Sequence, residues 1–288
     1  MTTVFEPAWA KLNLSLDVLG LRGDGYHEMN MLMQTVSLRD EVALRLRPEG
    51  GDVCETNFGF LPGDEQNLAV KAARVFFEAA GTPEEGVALR LEKRIPVGAG
   101  MAGGSADAAA VLRALNRLHG DPFAPQELEA LGERVGSDVP FCVRGGACLA
   151  RGRGEELTTV PSLPDCGIAI CKPEFSIRTP ELFARIDERR QTARPDTEGL
   201  LAALEAGDLR GVALRMYNVF EDVLPKRCGE IFELKSALLG QGALGAVMTG
   251  TGSAVFGLFP DLAQAEAAAD VLRVPGRECF AAVPVRNE

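Results

Sequence analysis

Pro96-Val97-Gly98-Ala99-Gly100-Met101-Ala102-Gly103-Gly104-Ser105-Ala106-Asp107 stands between two different periodicities. Before it, Val87, Leu89 and Leu91 alternate, which predicts a strand running into Lys93 and Arg94. After it, an alanine-rich run predicts a helix from about Ser105 to Leu118. Strand, glycine loop and helix start therefore follow one another. Glycine lets the chain turn sharply and lets backbone amides approach an anion closely. A helix N-terminus adds free N–H donors and the positive end of a dipole. Ser105 can cap the helix or bond a phosphate. Two readings follow, a phosphate cradle and a tight turn that packs a helix on a sheet.

The same stretch satisfies the spacing G-x-G-x-x-G through Gly98, Gly100 and Gly103. A dinucleotide site needs a second strand ending in an acid about 20 residues later. Asp121 falls near that distance, but between Gly120 and Pro122, with no strand before it. The phosphate-loop pattern G-x-x-x-x-G-K-S/T is absent.

Towards the N-terminus, Leu12, Leu14, Leu16 and Val18 form one face of a strand. Lys11 and Asn13 lie on the opposite face. They can bind an anion and orient a hydroxyl, or they can be the solvated side of an edge strand. Gly20 to Gly25 interrupts the pattern. The segment Gly23-Asp24-Gly25-Tyr26-His27-Glu28 carries one of two tyrosines and one of two histidines. Tyr26 can stack on a base and His27 can bond its edge, or the segment is an ordinary turn. Met29–Leu38 and Val42–Leu46 predict two further strands, and Asn67–Ala80 a helix.

Towards the C-terminus, Pro125–Arg134 predicts a helix, and His119 reads as the cap of the helix before it. In Gly136-Ser137-Asp138-Val139-Pro140-Phe141, the Asp138 carboxylate can take a proton from an attacking hydroxyl or can cap a turn. Pro161–Pro164 predicts a linker, giving domains 1–160 and 161–288. Beyond it, the pattern predicts a strand at Gly167–Cys171 and helices at Glu198–Asn218, Gly229–Leu239 and Asp261–Leu272. Cys279–Val285 predicts a last strand. Thr249-Gly250-Thr251-Gly252-Ser253 joins two short apolar strands. It is a hairpin loop or a second glycine loop over phosphates. The irregular mixture of strands and helices indicates an α+β fold.

Thirty Lys and Arg against 41 Asp and Glu give a net charge of −11. That balance disfavours holding nucleic acid by phosphate neutralisation. The seven cysteines form no C-x-x-C pair, which argues against a disulfide framework or a cysteine zinc site. No stretch of 18 apolar residues and no basic-then-apolar leader is present, so the expectation is a cytoplasmic chain without a membrane span.

The order of these motifs resembles the GHMP kinase superfamily. The motifs are P-A-x-A-K-L-N-L from Pro7, R-x-D-G-Y-H from Arg22, K-R-I-P-x-G-A-G-x-A-G-G-S-x-D from Lys93, G-S-D-V-P-F from Gly136 and T-G-T-G-S from Thr249. More narrowly, they are similar to the branch that phosphorylates an alcohol carrying a cytidine diphosphate group. The resemblance implies a two-domain fold. Its N-terminal domain is ribosomal-protein-S5-domain-2-like α/β, and its C-terminal domain is ferredoxin-like α+β. It implies Lys11 and Asp138 as the catalytic pair. It puts ATP on Pro96, Val97, Gly98, Ala99, Gly100, Met101, Ala102, Gly103, Gly104 and Ser105, with Asn67, Leu68 and Lys93 on the adenosine side. The substrate falls to Asn13, Tyr26, His27, Asp138, Thr179, Phe183, Gly250, Thr251 and Gly252. Met101 stands where leucine is commoner, a swap that keeps apolar volume. Mg2+ is expected with ATP, with no ligand assigned except Ser105 as a candidate. No nucleic acid, membrane or obligate protein partner is expected. Kinases of mevalonate, homoserine or a sugar, a dinucleotide-dependent oxidoreductase and a non-catalytic nucleotide binder are the rivals.

Overall fold

The computed structural model describes residues 3–189 and 193–286. The chain divides into two compact units. One comprises Met1–Ala10, Arg39–Ile95 and Ala102–Gly145, and the other Lys11–Leu38, Pro96–Met101 and Gly146–Glu288.

The first unit contains the start of β1 (Val4–Leu21), the end of β2 (His27–Arg47), β3 (Val53–Thr56) and β4 (Gly86–Glu92). β2 and β4 pair antiparallel, from Glu41 opposite Glu92 to Arg47 opposite Gly86. β3 joins β4 in parallel. Side chains alternate across such a ladder. Val42, Leu44, Val87, Leu89 and Leu91 are accordingly buried, while Arg45 and Arg90 are exposed. Each buried leucine contributes roughly 1.5–3 kcal/mol. The helices are α1 (Leu68–Ala80), α2 (Gly103–Leu118), α3 (Pro125–Val135) and α4 (Val139–Arg144). α1 packs along α2 through alanine-rich faces, whose small side chains let the helices approach closely. His119 ends α2, with Nδ1 against the Leu115 carbonyl oxygen at 2.9 Å, as a cap.

The second unit pairs the first part of β2 with β5 (Ala147–Gly152), which forms a hairpin with β6 (Glu156–Thr159). The chain continues through β7 (Gly167–Pro173), α5 (Thr179–Glu188), α6 (Thr197–Glu205), α7 (Leu209–Arg215) and β8 (Tyr217–Asn218). β8 runs parallel to β1 at Ser15 and Leu16. α8 (Glu230–Gly240), β9 (Gly245–Met248), β10 (Val255–Phe259), α9 (Leu262–Leu272) and β11 (Arg277–Ala282) follow. β11-β7-β10-β9 form a four-stranded antiparallel sheet, and α8 and α9 pack against it. The succession βαββαβ with that strand order is ferredoxin-like, as the resemblance implies.

Several boundaries differ from the sequence expectation; the last strand is Arg277–Ala282 and not Cys279–Val285. Met29–Leu38 and Val42–Leu46 belong to one strand, β2. The polar pair Arg39-Asp40 does not break it, because buried Asp40 accepts the Arg94 and Ile95 amides. The segment expected as one helix over Glu198–Asn218 is two helices, α6 and α7, followed by strand β8 at Tyr217–Asn218. Gly207 has φ +65°, and Asp208 starts α7 by accepting the Gly211 amide at 2.9 Å. α2 begins at Gly103, not Ser105, with Ala102 as the residue before its first turn.

Candidate active site

In the second unit, the glycine loop is oriented by its carbonyl groups. The Met101 oxygen accepts the Lys11 amide at 3.2 Å, and the Ala99 oxygen accepts the Ala254 amide at 3.1 Å. The Gly100 oxygen accepts the Thr249 hydroxyl at 3.2 Å. Among the described residues, the amides of Gly98, Ala99, Gly100, Met101 and Ala102 donate to no backbone or side-chain acceptor. Carbonyls face the protein, and a run of N–H groups is left for another acceptor. Gly98 and Gly100 have φ +65° and +76°. A Cβ on Gly100 would lie 2.2 Å from the Thr249 carbonyl oxygen, so no larger residue fits.

Lys11 and Asn13 are not the solvated face of an edge strand. They are 4% and 0% exposed. The Lys11 ammonium donates to Asn13 Oδ1 at 2.6 Å, and Oδ1 also accepts the Gly250 amide at 3.1 Å. Thr249 Oγ1 accepts the Asn13 amide at 3.1 Å. Among the described residues, buried Asn13 Nδ2 has no partner. An orphaned buried donor is costly and points to a missing acceptor. Asn218 holds the same turn. Its side-chain nitrogen donates to the Met248 and Gly250 carbonyl oxygens, each at 2.8 Å. Thr251 bonds the Thr179 hydroxyl at 3.0 Å. Gly252 closes the turn, its amide donating to the Thr249 carbonyl oxygen at 2.9 Å.

α5 presents Phe183 and Asp187 one turn apart, so both reach the same neighbour. That neighbour is His27. Its ring centroid is 4.5 Å from that of Phe183, and Nε2 is 2.8 Å from Asp187 Oδ1. The Asp187 carboxylate accepts, so Nε2 carries the proton, and in the neutral imidazole Nδ1 is then the acceptor. Phe183 rests edge-on against buried Phe220. Tyr26 is 53% exposed, with the Arg153 guanidinium 5.0 Å from its ring centre.

In the first unit, α2 starts with Gly103, Gly104 and Ser105. Ser105 lies inside the first turn and does not act as the cap. Among the described residues its hydroxyl makes no hydrogen bond. Asn67 caps α1 by accepting the Ala69 amide at 3.0 Å, and a Cβ on Gly104 would touch Leu68. Asp138 occupies the cap position of α4, yet its carboxylate makes no cap bond. Lys93 is 5% exposed, and its ammonium donates to Asp40, to Asp107 at 2.5 Å and to the Gly103 carbonyl oxygen at 3.3 Å. Burial pushes the Lys93 ammonium down, and Asp107 and Asp40 outweigh it, leaving it above its ordinary value. Burial, aided by Asp40 and opposed by Lys93, pushes the Asp107 carboxyl up to about 7.

Sequence reasoning missed Asp187, Asn218, Asp40 and the anchoring role of Thr249. Only Asp187 carried a signal, its helical spacing from Phe183.

A run of loop amides that bond no described protein acceptor, set before a helix, and a buried Lys–Asn pair are features of a phosphoryl-transfer site of the GHMP kinase class. The family descriptions GHMP kinases N terminal domain and GHMP kinases C terminal match residues 67–146 and 200–277. The 4-diphosphocytidyl-2-C-methyl-D-erythritol kinase of Acetivibrio thermocellus is 42% identical over 97% of this chain and 98% of its own. A crystal structure of 4-(cytidine 5'-diphospho)-2C-methyl-D-erythritol kinase superposes with a TM-score of 0.84 at 34% identity, covering 99% of this chain and all of the other. A homoserine kinase from Cytophaga hutchinsonii shares the fold, with a TM-score of 0.76 at 22% identity over 99% of this chain and 96% of its own. The chain belongs to the 4-diphosphocytidyl-2-C-methyl-D-erythritol kinase family of GHMP kinases.

Proposed function

We propose that this chain transfers the γ-phosphoryl group of ATP to the 2-hydroxyl of 4-diphosphocytidyl-2-C-methyl-D-erythritol, giving the 2-phosphate and ADP. This is a step of the non-mevalonate route to isoprenoid precursors. The observation that carries the kinase reading is the glycine loop, with its carbonyls bonded into the protein and its amides free. Five free amides ahead of a helix N-terminus suit the β- and γ-phosphates.

The roles follow from chemistry. Loop residues from Pro96 to Ser105 cradle the phosphates, and Asn67, Leu68 and Lys93 belong to the adenosine side. Tyr26 and Phe183 flank the cytosine, and Phe183 also backs the His27 ring. His27 Nδ1, an acceptor, reads the amino group of the base. Thr179, Gly250, Thr251 and Gly252 border the substrate. Asn13 Nδ2 donates to a substrate oxygen. Asp138 accepts the proton of the attacking 2-hydroxyl, and Lys11 offsets charge on the transferring group. Catalysis is then mainly positioning and charge stabilisation. Mg2+ accompanies ATP and neutralises phosphate charge. Among the described residues no cluster of three His, Cys, Asp or Glu forms a cage. Mg2+ can be held largely by phosphates and water, and the unbonded Ser105 hydroxyl fits as one oxygen ligand. We take residues 1–160 as the ATP-binding domain and 161–288 as the C-terminal domain. Among the described residues no helix is long and apolar enough to cross a membrane. A cytoplasmic location without nucleic-acid or obligate protein partners is part of the proposal.

Purified protein is incubated with Mg-ATP and the cytidine substrate, with mevalonate and homoserine in parallel. ADP release and phosphorus NMR report the product. A new phosphomonoester from the first substrate alone supports the proposal. Turnover only of another alcohol keeps the kinase class and removes the cytidine pocket.

A further inference from the structure

The glycine loop leaves one strand and enters one helix, and both ends meet the same buried ion cluster. On the entry side, Asp40 Oδ1 accepts the amides of Arg94 and Ile95, the latter at 2.7 Å. On the exit side, the Lys93 ammonium donates to the carbonyl oxygen of Gly103, the first residue of α2. The two sides are joined, because Lys93 also donates to Asp40 Oδ2. Asp107, one turn further along α2, accepts from the same ammonium at 2.5 Å. Asp40 has no exposed surface, and a Cβ on Gly103 would lie 3.1 Å from Ile95 and 3.4 Å from the Lys93 nitrogen.

An ammonium has three protons. Those of Lys93 have three acceptors inside this unit, Asp40, Asp107 and Gly103. A buried ion cluster seldom adds net stability over apolar side chains of the same volume. Its distinctive effect here is geometric, since four groups from three elements are held in one arrangement.

We propose that Asp40, Lys93 and Asp107 form a clamp that fixes residues 94–95 and 103 at the two ends of the phosphate loop. The Lys93 ammonium then acts on ATP by positioning the loop, its three protons being taken by Asp40, Asp107 and Gly103. The inference rests on the loop being the ATP phosphate site. A loop of seven residues with three left-handed positions (Gly98, Gly100 and Ala102) has many conformations if its ends drift. Fixing both ends holds the amides where the phosphates require them.

Asp40→Asn, Lys93→Met and the double variant test the clamp. Asp107→Asn serves as the reference, because an amide oxygen can still accept from Lys93. Far-ultraviolet circular dichroism establishes which variants fold. Two readouts are taken on those, the KM values for ATP and for the cytidine substrate, and amide hydrogen exchange over residues 96–105 without nucleotide. The clamp predicts a rise of about tenfold or more in the ATP KM of Asp40→Asn, with the substrate KM within about twofold. It also predicts faster exchange confined to the loop. The double variant is expected to be no worse than the more affected single variant, because both break one unit. Unchanged loop exchange in folded Asp40→Asn overturns the clamp. Equal rises in both KM values with exchange faster throughout the chain also overturn it, leaving only a structural role. If the unaltered protein neither binds nor turns over ATP, the kinase assignment fails, and loop exchange still decides whether the clamp exists.

Discussion

The Lys11 ammonium and the Asn13 side-chain oxygen lie 2.6 Å apart on one buried strand face, while Asn13 Nδ2 has no partner among the described residues. Oxygen and nitrogen of one side chain thus have opposite situations. The oxygen is held by Lys11 and Gly250 and organises the protein. The nitrogen has no partner among the described residues, and in the proposed site it donates to substrate. Asn13→Asp separates the two functions, since it keeps the acceptor and removes the donor. Its melting temperature is expected within a few degrees of the parent. kcat/KM for the cytidine substrate is expected to fall about 10- to 100-fold, the range for losing one buried hydrogen bond to a ligand. Steady-state kinetics with thermal melts check this, and unchanged kinetics would remove Asn13 from the substrate.

Asp138 stands at the cap position of α4 without capping it. An aspartate that does cap typically contributes about 1 kcal/mol. Asp138→Asn therefore loses no cap bond, and melting temperatures of parent and variant separate any change in stability from the change in turnover. If Asp138 accepts the hydroxyl proton as proposed, the substitution lowers kcat by about 100- to 10,000-fold. ATP KM is expected to stay within about threefold. Equal losses in turnover and ATP affinity would contradict this division of roles.

The glycine loop was legible in the sequence because its requirements are local. Sharp turns demand glycine, and the periodicity changes across it. The antiparallel hairpin around Thr249–Ser253 and the start of α1 at Asn67 were legible for the same reason. Asp40 was not, since an acid between two apolar runs reads as a break until its partners from beyond β4 are seen. Lys11 and Asn13 resembled a solvated face because alternation shows parity and not burial. Asn218 and Asp187 act on residues 30 and 160 positions away, which no local pattern encodes.

The Asp187–His27 pair sets which ring nitrogen accepts. Asp187 accepts from Nε2, so on the proposed role of His27 the neutral ring presents Nδ1 to the base as an acceptor and favours the amino group of cytosine. Asp187→Asn can donate to Nε2 instead, which moves the imidazole proton to Nδ1. The variant is expected to lose about tenfold in kcat/KM for the cytidine substrate and to gain relative preference for its uridine analogue, whose O4 accepts. Competition between the two substrates measures the ratio. An unaltered ratio would remove His27 from reading the base edge, and the ATP KM should not move.

Asp107 gives stability a pH dependence whose sign is fixed. One ammonium, Lys93, faces two carboxylates, Asp40 and Asp107, and Cys54 is a further titratable neighbour of Asp107. Burial and Asp107 push the Cys54 thiol up to about 11, so it stays neutral here. Burial raises the folded-state Asp107 carboxyl to about 7, above its ordinary value of 3.8. The folded protein then binds more protons than the unfolded chain between those values, so this group's contribution weakens as pH rises from about 4 to about 7. It is constant above that window. Asp107→Asn cannot ionise, so it removes the decline and leaves Lys93 paired with Asp40. Relative to the parent, the variant is expected to gain about 1 kcal/mol or more between pH 5 and pH 8. Melting temperatures of both proteins across that range measure the difference. A constant difference would mean that Asp107 is already ionised at pH 5, with Lys93 outweighing the effect of burial.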